Sequence, residues 1–165
     1  MRNYQFCPLC AHKLEPGIID GKTRQFCPEC NFIHYRNPLP TTVCIGELDG
    51  QVLLIKRGIE PRKGQWTLPS GFVELGESAE ECCLRELKEE AGMTGTIAKL
   101  IGVYHADSAL YGDLISTIYH VKLDSGQPIA GDDAAGAKLV PIDEIDDLVF
   151  EAFNLAFAEF KKTNI

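Results

Sequence analysis

Three carboxylates at helical spacing, Glu86, Glu89 and Glu90, stand in the segment GFVELGESAEECCLRELKEEAGM, from Gly71 to Met93. On a helix the offsets i, i+3 and i+4 bring their side chains onto one face. Like charges that close repel, so the arrangement calls for compensation. A hard divalent cation supplies it, because Mg²⁺ takes oxygen ligands from carboxylates together with substrate phosphates. The plain alternative is a solvated acidic helix face, and the rest of the segment argues against it. Ser78 with Glu81 three residues later forms a capping box, and Gly92 is a left-handed C-terminal stop. Arg85 stands four residues before Glu89, within reach of its carboxylate. Cys82, Cys83, Leu84, Leu87 and Ala91 make an apolar side that can dock on a sheet. Gly71 and Gly76 flank a loop whose backbone can approach a ligand closely.

A second constellation lies near the N-terminus. Cys7-Pro8-Leu9-Cys10 and Cys27-Pro28-Glu29-Cys30 read CxxC, sixteen residues, CxxC, each preceded by phenylalanine. That spacing is a four-thiolate zinc pattern, in which the metal replaces a core that some thirty residues cannot build. Disulfides would need an oxidising compartment, and no signal peptide precedes these cysteines. A redox CxxC would not explain the second copy. His12 and His34 are substitute ligands in principle, but four cysteines suffice.

Composition sets limits. With 24 Asp and Glu against 16 Lys and Arg the net charge is −8, which argues against broad binding to a phosphate backbone. Residues 1–36 hold five Lys or Arg against three Asp or Glu, no dense basic stripe. No apolar run reaches the length of a membrane span. Seven cysteines leave Cys44, Cys82 and Cys83 outside the zinc pattern, read as packing residues of a reduced, cytoplasmic protein.

The elements that must position these residues can be read in outline. Prolines in NFIHYRNPLP mark the exit from the cysteine segment, dividing the 165 residues into a ribbon over 1–36 and an α/β domain over 37–165. Residues 41–48 and 52–57 read as strands joined by Asp49-Gly50, a hairpin signal. Trp66 to Pro69 lead into a helix from about Ser78 to Ala91. Residues 97–105 and 114–123 read as strands, and 138–140 as a short one. Pro141 suits the first turn of a helix through Asp147. Phe150, Phe153, Phe157 and Phe160 step by three and four, the stripe of a terminal amphipathic helix.

Glycine, five residues, glutamate, seven residues, then REUxEExGU with U apolar is the Nudix box, matched here at every defined position. From about residue 41 the chain resembles a Nudix hydrolase. The resemblance implies the Nudix fold, a mixed β-sheet between helices, preceded here by the small four-cysteine zinc ribbon. It implies hydrolysis of a nucleoside diphosphate linked to another group X. Glu86 and Glu90 would hold catalytic Mg²⁺ or Mn²⁺, and Glu89 would be a further ligand or polarise the water. Which glutamate is the base stays open. Arg85 and Glu77 would organise loop and helix, and the Ser70 backbone carbonyl would complete the metal shell. Asp133 matches a later acidic position of the family, with a turn aspartate as the equal alternative. Gly136 stands where another glutamate is expected.

A zinc ribbon joined to a Nudix domain resembles NADH pyrophosphatases and a shorter branch that cleaves FAD and ADP-ribose. The first group carries a serine-glutamine-proline-tryptophan stretch after the box, and this chain has GVYHADS at residues 102–108 instead. The expected substrate is therefore a small dinucleotide, FAD or ADP-ribose, with AMP as product. Tyr104 and Tyr111 are candidate ring-stacking residues, with His105 and Tyr119 behind them and simple packing as the alternative. Other readings are an NADH or NAD pyrophosphatase, an enzyme removing nucleotide caps from RNA, and a zinc-ribbon adaptor or nucleic-acid module on an inert scaffold. The crowded carboxylates speak against the last. A homodimer is expected, with the ribbon part of the contact.

Overall fold

A computed structural model describes residues 4–164. Ten strands and two helices form two sheets. The first is the ribbon, β1 (Glu15–Ile19), β2 (Lys22–Phe26) and β3 (Ile33–His34), all antiparallel. Two knuckles precede and follow its hairpin, and they are built alike. Cys7 N–H donates to the His12 carbonyl and Cys27 N–H to that of Phe32, both at 2.7 Å, while Ala11 and Asn31 both take a positive φ of 59°. The sulfurs of Cys7 and Cys30, Cys10 and Cys27, and Cys10 and Cys30 lie 3.5 Å apart. A tetrahedron with Zn–S bonds of 2.3 Å has edges of about 3.8 Å, so the four thiols already stand at zinc-binding spacing. Only Cys7, Leu14, Cys27 and part of Phe32 make an apolar centre here. So small an apolar centre buries little surface, and four thiols at this spacing are suited to let a zinc ion make up the difference.

The second sheet runs β10 (Ala134–Pro141), β5 (Gln51–Arg57), β4 (Leu39–Leu48), β9 (Gly112–Leu123) and β8 (Gly95–Ser108). Only β4 and β9 pair in parallel along this row, which makes the sheet mixed. Asp49 and Gly50 both have positive φ, as a tight hairpin requires. Beyond the turn β4 and β5 share just two register pairs, Glu47 with Val52 and Leu48 with Gln51, and then diverge. Into that fork run β6 (Trp66–Thr67), paired with β5, and β7 (Ser70–Phe72), paired with β4.

Alternation along the central strands covers both faces of this sheet. Val43, Ile45, Val52, Leu54 and Ile118 pack with Phe153, Phe157 and Phe160 of α2 (Glu151–Asn164). Cys44, Leu53, Ile55, Tyr119 and Val121 pack with Cys83, Leu87 and Ala91 of α1 (Ala79–Ala91). Cys44, Cys82 and Cys83 are buried free thiols. The capping box and the left-handed Gly92 bound α1 as its sequence predicts.

One element differs. The helix expected from Pro141 to Asp147 is a single 3₁₀ turn, Ile142–Glu144. Ile142, Ile145 and Leu148 all sink into the α2-side core, a step of three that an α-helix does not hold on one line. The Asn154 side chain then accepts from Leu148 N–H at 2.7 Å and donates to its carbonyl at 2.9 Å, satisfying backbone that a helix would have paired. Among the described residues no helix is long and apolar enough to cross a membrane.

Freshly purified protein should hold about one zinc ion per chain. Cys27→Ser should lose it and make the ribbon sensitive to protease, while the thermal transition of the larger sheet stays in place. Metal analysis finding no zinc in unchelated protein would remove the site.

Candidate active site

The fork between β4 and β5 opens into a cavity of about 620 Å³. Its walls come from both layers: Glu86 and Glu90 of α1, the strand ends of β4, β5 and β9, and Phe150 and Phe153 of the α2 side.

Arg85 organises the acidic side. Its Nε and Nη2 donate to the two oxygens of Glu77 at 3.0 and 2.7 Å, and Nη2 also reaches the Phe72 carbonyl at 3.1 Å. Its Nη1 donates to Glu86 at 2.7 Å and Glu89 at 2.8 Å. The loop after β7 is thereby tied to the helix, and Glu74 N–H closes the same loop onto Glu77 at 2.7 Å. The Arg85 guanidinium, helped by that N–H, holds the Glu77 carboxyl at about 2. The Glu86 carboxylate occupies the space a side chain at residue 71 would need, since a Cβ there would overlap it. A side chain at residue 71 would push that carboxylate from its place beside Arg85, so glycine suits the position.

Glu90 is buried, 6% exposed, and accepts one hydrogen bond, from Ser70 N–H at 2.8 Å. Burial pushes its carboxyl up to about 8, and the neighbouring Glu86 and Asp133 charges add to the rise. Burial raises Glu86 as well, with Arg85 opposing. Asp132 and Asp133 line the same cavity, near enough for their charges to act on Glu86 and Glu90, and Asp133 is fixed by its carbonyl, which accepts from Gly58 N–H at 2.7 Å. Concentrated oxygen donors with a deficit of positive charge are what a hard divalent cation fits. Glu86, Glu90, Asp132 and Asp133 line the cavity, although among the described residues no three carboxylates stand close enough together to form a ready-made cation site.

Several expected residues stand elsewhere. Glu89 turns outward onto Arg85, its side chain 47% exposed, and does not line the cavity. Among the described residues the three helix carboxylates do not gather into a compact ligand cluster as the four cysteines do. Tyr104, expected beside the ligand, packs over Gly102 against the α2-side core. Tyr119 is buried under α1, and His105 pairs with Asp113 on the surface. Tyr111 does line the cavity, its ring edge-on to Phe72 at 4.9 Å. A side chain at Gly136 would meet Lys56 and Trp66.

Phe72, Arg57, Arg62, Thr41 and Ser116 also line the cavity and went unread in the sequence. Arg57 donates from Nε to the Pro61 carbonyl at 2.6 Å, and its guanidinium lies 5.8 Å from the Phe150 ring centre. Arg57 and Phe72 end strands β5 and β7, Thr41 and Ser116 lie within β4 and β9, and Arg62 is in the loop after β5, so no shared local pattern marks them.

Two tests follow from this geometry. Arg85→Ala should cost roughly 1.5–3 kcal/mol in chemical denaturation, the range for hydrogen bonds to charged groups. Arg85→Lys should recover less than half, because an ammonium cannot form the bidentate pair with Glu77; full recovery by lysine would refute the fork geometry. Glu90 predicts a pH dependence. Its folded value of about 8 lies above the unfolded carboxylate value, so without metal the folded state binds the extra proton. Chelated protein should lose stability as pH rises from the ordinary carboxylate range to about 8 and then level off. Mn²⁺ needs the ionised carboxylate, so it should raise the melting temperature more at high pH than at pH 6. Equal Mn²⁺ effects at both ends, or the same pH profile in Glu90→Gln, would contradict the assignment.

Comparison with known proteins agrees with this architecture. Residues 38–160 match the NUDIX domain, and residues 5–36 match the zinc ribbon described as Nudix N-terminal. The ADP-ribose pyrophosphatase of Methanocaldococcus jannaschii is 39% identical over 118 residues, covering 71% of this chain and 70% of that protein. The NAD-capped RNA hydrolase NudC of Vibrio vulnificus is 32% identical over 98 residues, 59% of this chain but only 36% of that protein, so the match spans about a third of its length. A NUDIX hydrolase structure from Nitrosomonas europaea superposes with a TM-score of 0.86 at 30% identity, covering 98% of this chain and 92% of that one. A MutT NUDIX hydrolase from Burkholderia pseudomallei gives 0.67 at 27%, covering 75% and 98%. With a family match over most of its length, and the box, mixed sheet and four-cysteine ribbon all in place, the chain belongs to the Nudix family as a hydrolase with an N-terminal zinc ribbon.

Proposed function

We propose that this hydrolase cleaves the diphosphate of a small ADP-linked molecule, ADP-ribose or FAD, and releases AMP. The observation that carries the reading is one cavity lined by the buried Glu90 and half-buried Glu86 together with a Phe72–Tyr111 ring pair. A diphosphate can lie against the first while a flat ring meets the second. The 39% identity to an ADP-ribose pyrophosphatase supports the choice of ADP-ribose.

A divalent cation, when bound, neutralises the diphosphate and lowers the pKa of an attacking water. Glu86 and Glu90 would hold it from α1, and Asp133 would do so from the loop before β10. The Ser70 N–H and C=O point to the same side of an extended strand, so the N–H that orients Glu90 brings the carbonyl toward the same wall. Arg57 and Arg62 supply positive charge to the cavity, suited to phosphate oxygens. Arg85 keeps Glu86 aimed, and Glu77 keeps Arg85 in place. Glu89, held outward by the same guanidinium, is a reserve ligand that needs a side-chain rotation to enter.

A second reading, removal of a dinucleotide cap from RNA, is favoured by the similarity to NudC. The acidic balance of the chain weighs against an extended RNA partner.

At one Mg²⁺ or Mn²⁺ concentration kcat/KM should be higher for ADP-ribose or FAD than for NADH and NAD⁺, with AMP resolved as the common product. A tenfold lead for NADH, about 1.4 kcal/mol of transition-state preference, would reverse the substrate assignment. Glu90→Gln and Glu86→Gln should lose activity by orders of magnitude with zinc content unchanged, and Asp133→Asn should lose less. Wild-type turnover by Glu90→Gln at saturating metal would end its role as a ligand.

A further inference from the structure

Two hydroxyls interrupt the apolar sheet face that runs from the α2-side core into the cavity. Thr41 on β4 and Ser116 on β9 are direct register partners. They are 8% and 3% exposed, and their oxygens lie 2.8 Å apart. Val43, Leu114 and Phe153 line the cavity around them. A hydroxyl is unfavourable on such a wall unless it is bonded, and valine and alanine would meet the packing alone.

The pair satisfies itself only in part. It carries two protons, and one is shared between the two oxygens. The other has the Ile115 carbonyl at 3.5 Å, a length at which a hydrogen bond is marginal. One donor and several lone pairs therefore remain beside the cavity that both residues line. Thr41 has a second register partner, Phe72 on β7. Side chains of register partners share a face, so Phe72, Thr41 and Ser116 form one row across three strands. Tyr111 stands edge-on to the Phe72 end of that row.

An aromatic group next to a neutral donor–acceptor pair is suited to a particular ligand chemistry. A phosphate would need positive charge there. A free sugar would need many more polar partners than Val43, Leu114 and Phe153 can offer. A flat heteroaromatic ring that carries a donor beside an acceptor on one edge fits both features. We infer that the Thr41–Ser116 pair reads the amino-bearing edge of the adenine ring. The ring amino group donates to a hydroxyl oxygen, and an adjacent ring nitrogen accepts the free hydroxyl proton. Thr41 and Ser116 are thus specificity residues. This inference rests on the ADP-linked substrate proposed above.

The test is a cycle between protein and ligand. Binding of AMP and of purine riboside 5′-monophosphate, which lacks the amino group, is measured by calorimetry on the zinc-loaded full chain. Wild type should prefer AMP by about tenfold or more, because a site built to bond a group rejects the analogue lacking it. In Thr41→Val/Ser116→Ala that preference should fall below about threefold, while Thr41→Ser, which keeps the hydroxyl, should retain it. Should the double variant fail to fold, Ser116→Ala alone is compared, and it too should lose most of the preference. A preference that survives hydroxyl removal, or that wild type never shows, overturns the inference. Turnover of ADP-ribose by wild type is read separately, so a wrong substrate and a wrong reading of the hydroxyls give different results.

Discussion

The guanidinium of Arg85 is shared by three carboxylates and one carbonyl, and the geometry around the cavity depends on it. An acidic helix face next to a tight loop would otherwise drive loop and helix apart. One planar cation with several donors in a fixed fork can hold Glu77 from the loop, Phe72 from β7, and Glu86 and Glu89 from its own helix at once. Glu77, kept at about 2, is ionised throughout the physiological range, so this tie does not loosen with pH. Glu90 behaves in the opposite way. It sits deeper, without a cation in contact, and takes up a proton near neutrality. The scaffold is insensitive to pH while the ligand it presents is responsive.

The cavity exists because β4 and β5 part company. A hairpin zipped along its full length would leave no room for β6 and β7, and residues 66–72 could not bring Ser70 and Gly71 against α1. The divergence also lets groups from both sides of the sheet line one space. Acidic chemistry enters from α1 and aromatic surface from the α2 side. Two layers separated by a sheet in the core thus meet at the one place where the sheet is split.

How far the sequence was legible follows from how local each signal is. The α1 helix, its capping box, the Asp49-Gly50 turn and the two cysteine knuckles are written in a few adjacent residues, and the structure has them where the spacing indicates. The phenylalanine stripe of α2 is equally local. Tyr104 and Tyr111 could not be told apart by type or strand position. One lies over Gly102 toward the core and the other at the cavity, a difference set by packing across strands. Thr41, Phe72 and Ser116 are far apart in sequence and become a row only through the register of β7, β4 and β9. The stretch after Pro141 misled because its helical start is real, but burial of Ile145 and Leu148 bends the chain away after one turn.

The spacing of Glu86, Glu89 and Glu90 illustrates the limit most clearly. Helical geometry puts all three on one side, yet a single side is wide enough to be divided. Glu90 faces the sheet seam and is desolvated, Glu89 faces solvent, and Glu86 lies between them against Gly71. A residue that activates water must lie at the cavity wall with a carboxylate able to accept a proton. That requirement excludes Gly136, which lacks a side chain and lies against Trp66, and in this conformation it excludes Glu89 too. Glu60, Glu74, Glu86, Glu90, Asp107, Asp132 and Asp133 remain as the carboxylates lining the cavity. Burial raises the proton affinity of Glu90, to about 8, and places it where it can hold a cation once ionised. One carboxylate cannot serve fully as both ligand and proton acceptor, so with Glu86, Glu90 and Asp133 as the proposed ligands the base is to be sought among Glu60, Glu74, Asp107 and Asp132. All four border the cavity without the Arg85 contact that fixes Glu86.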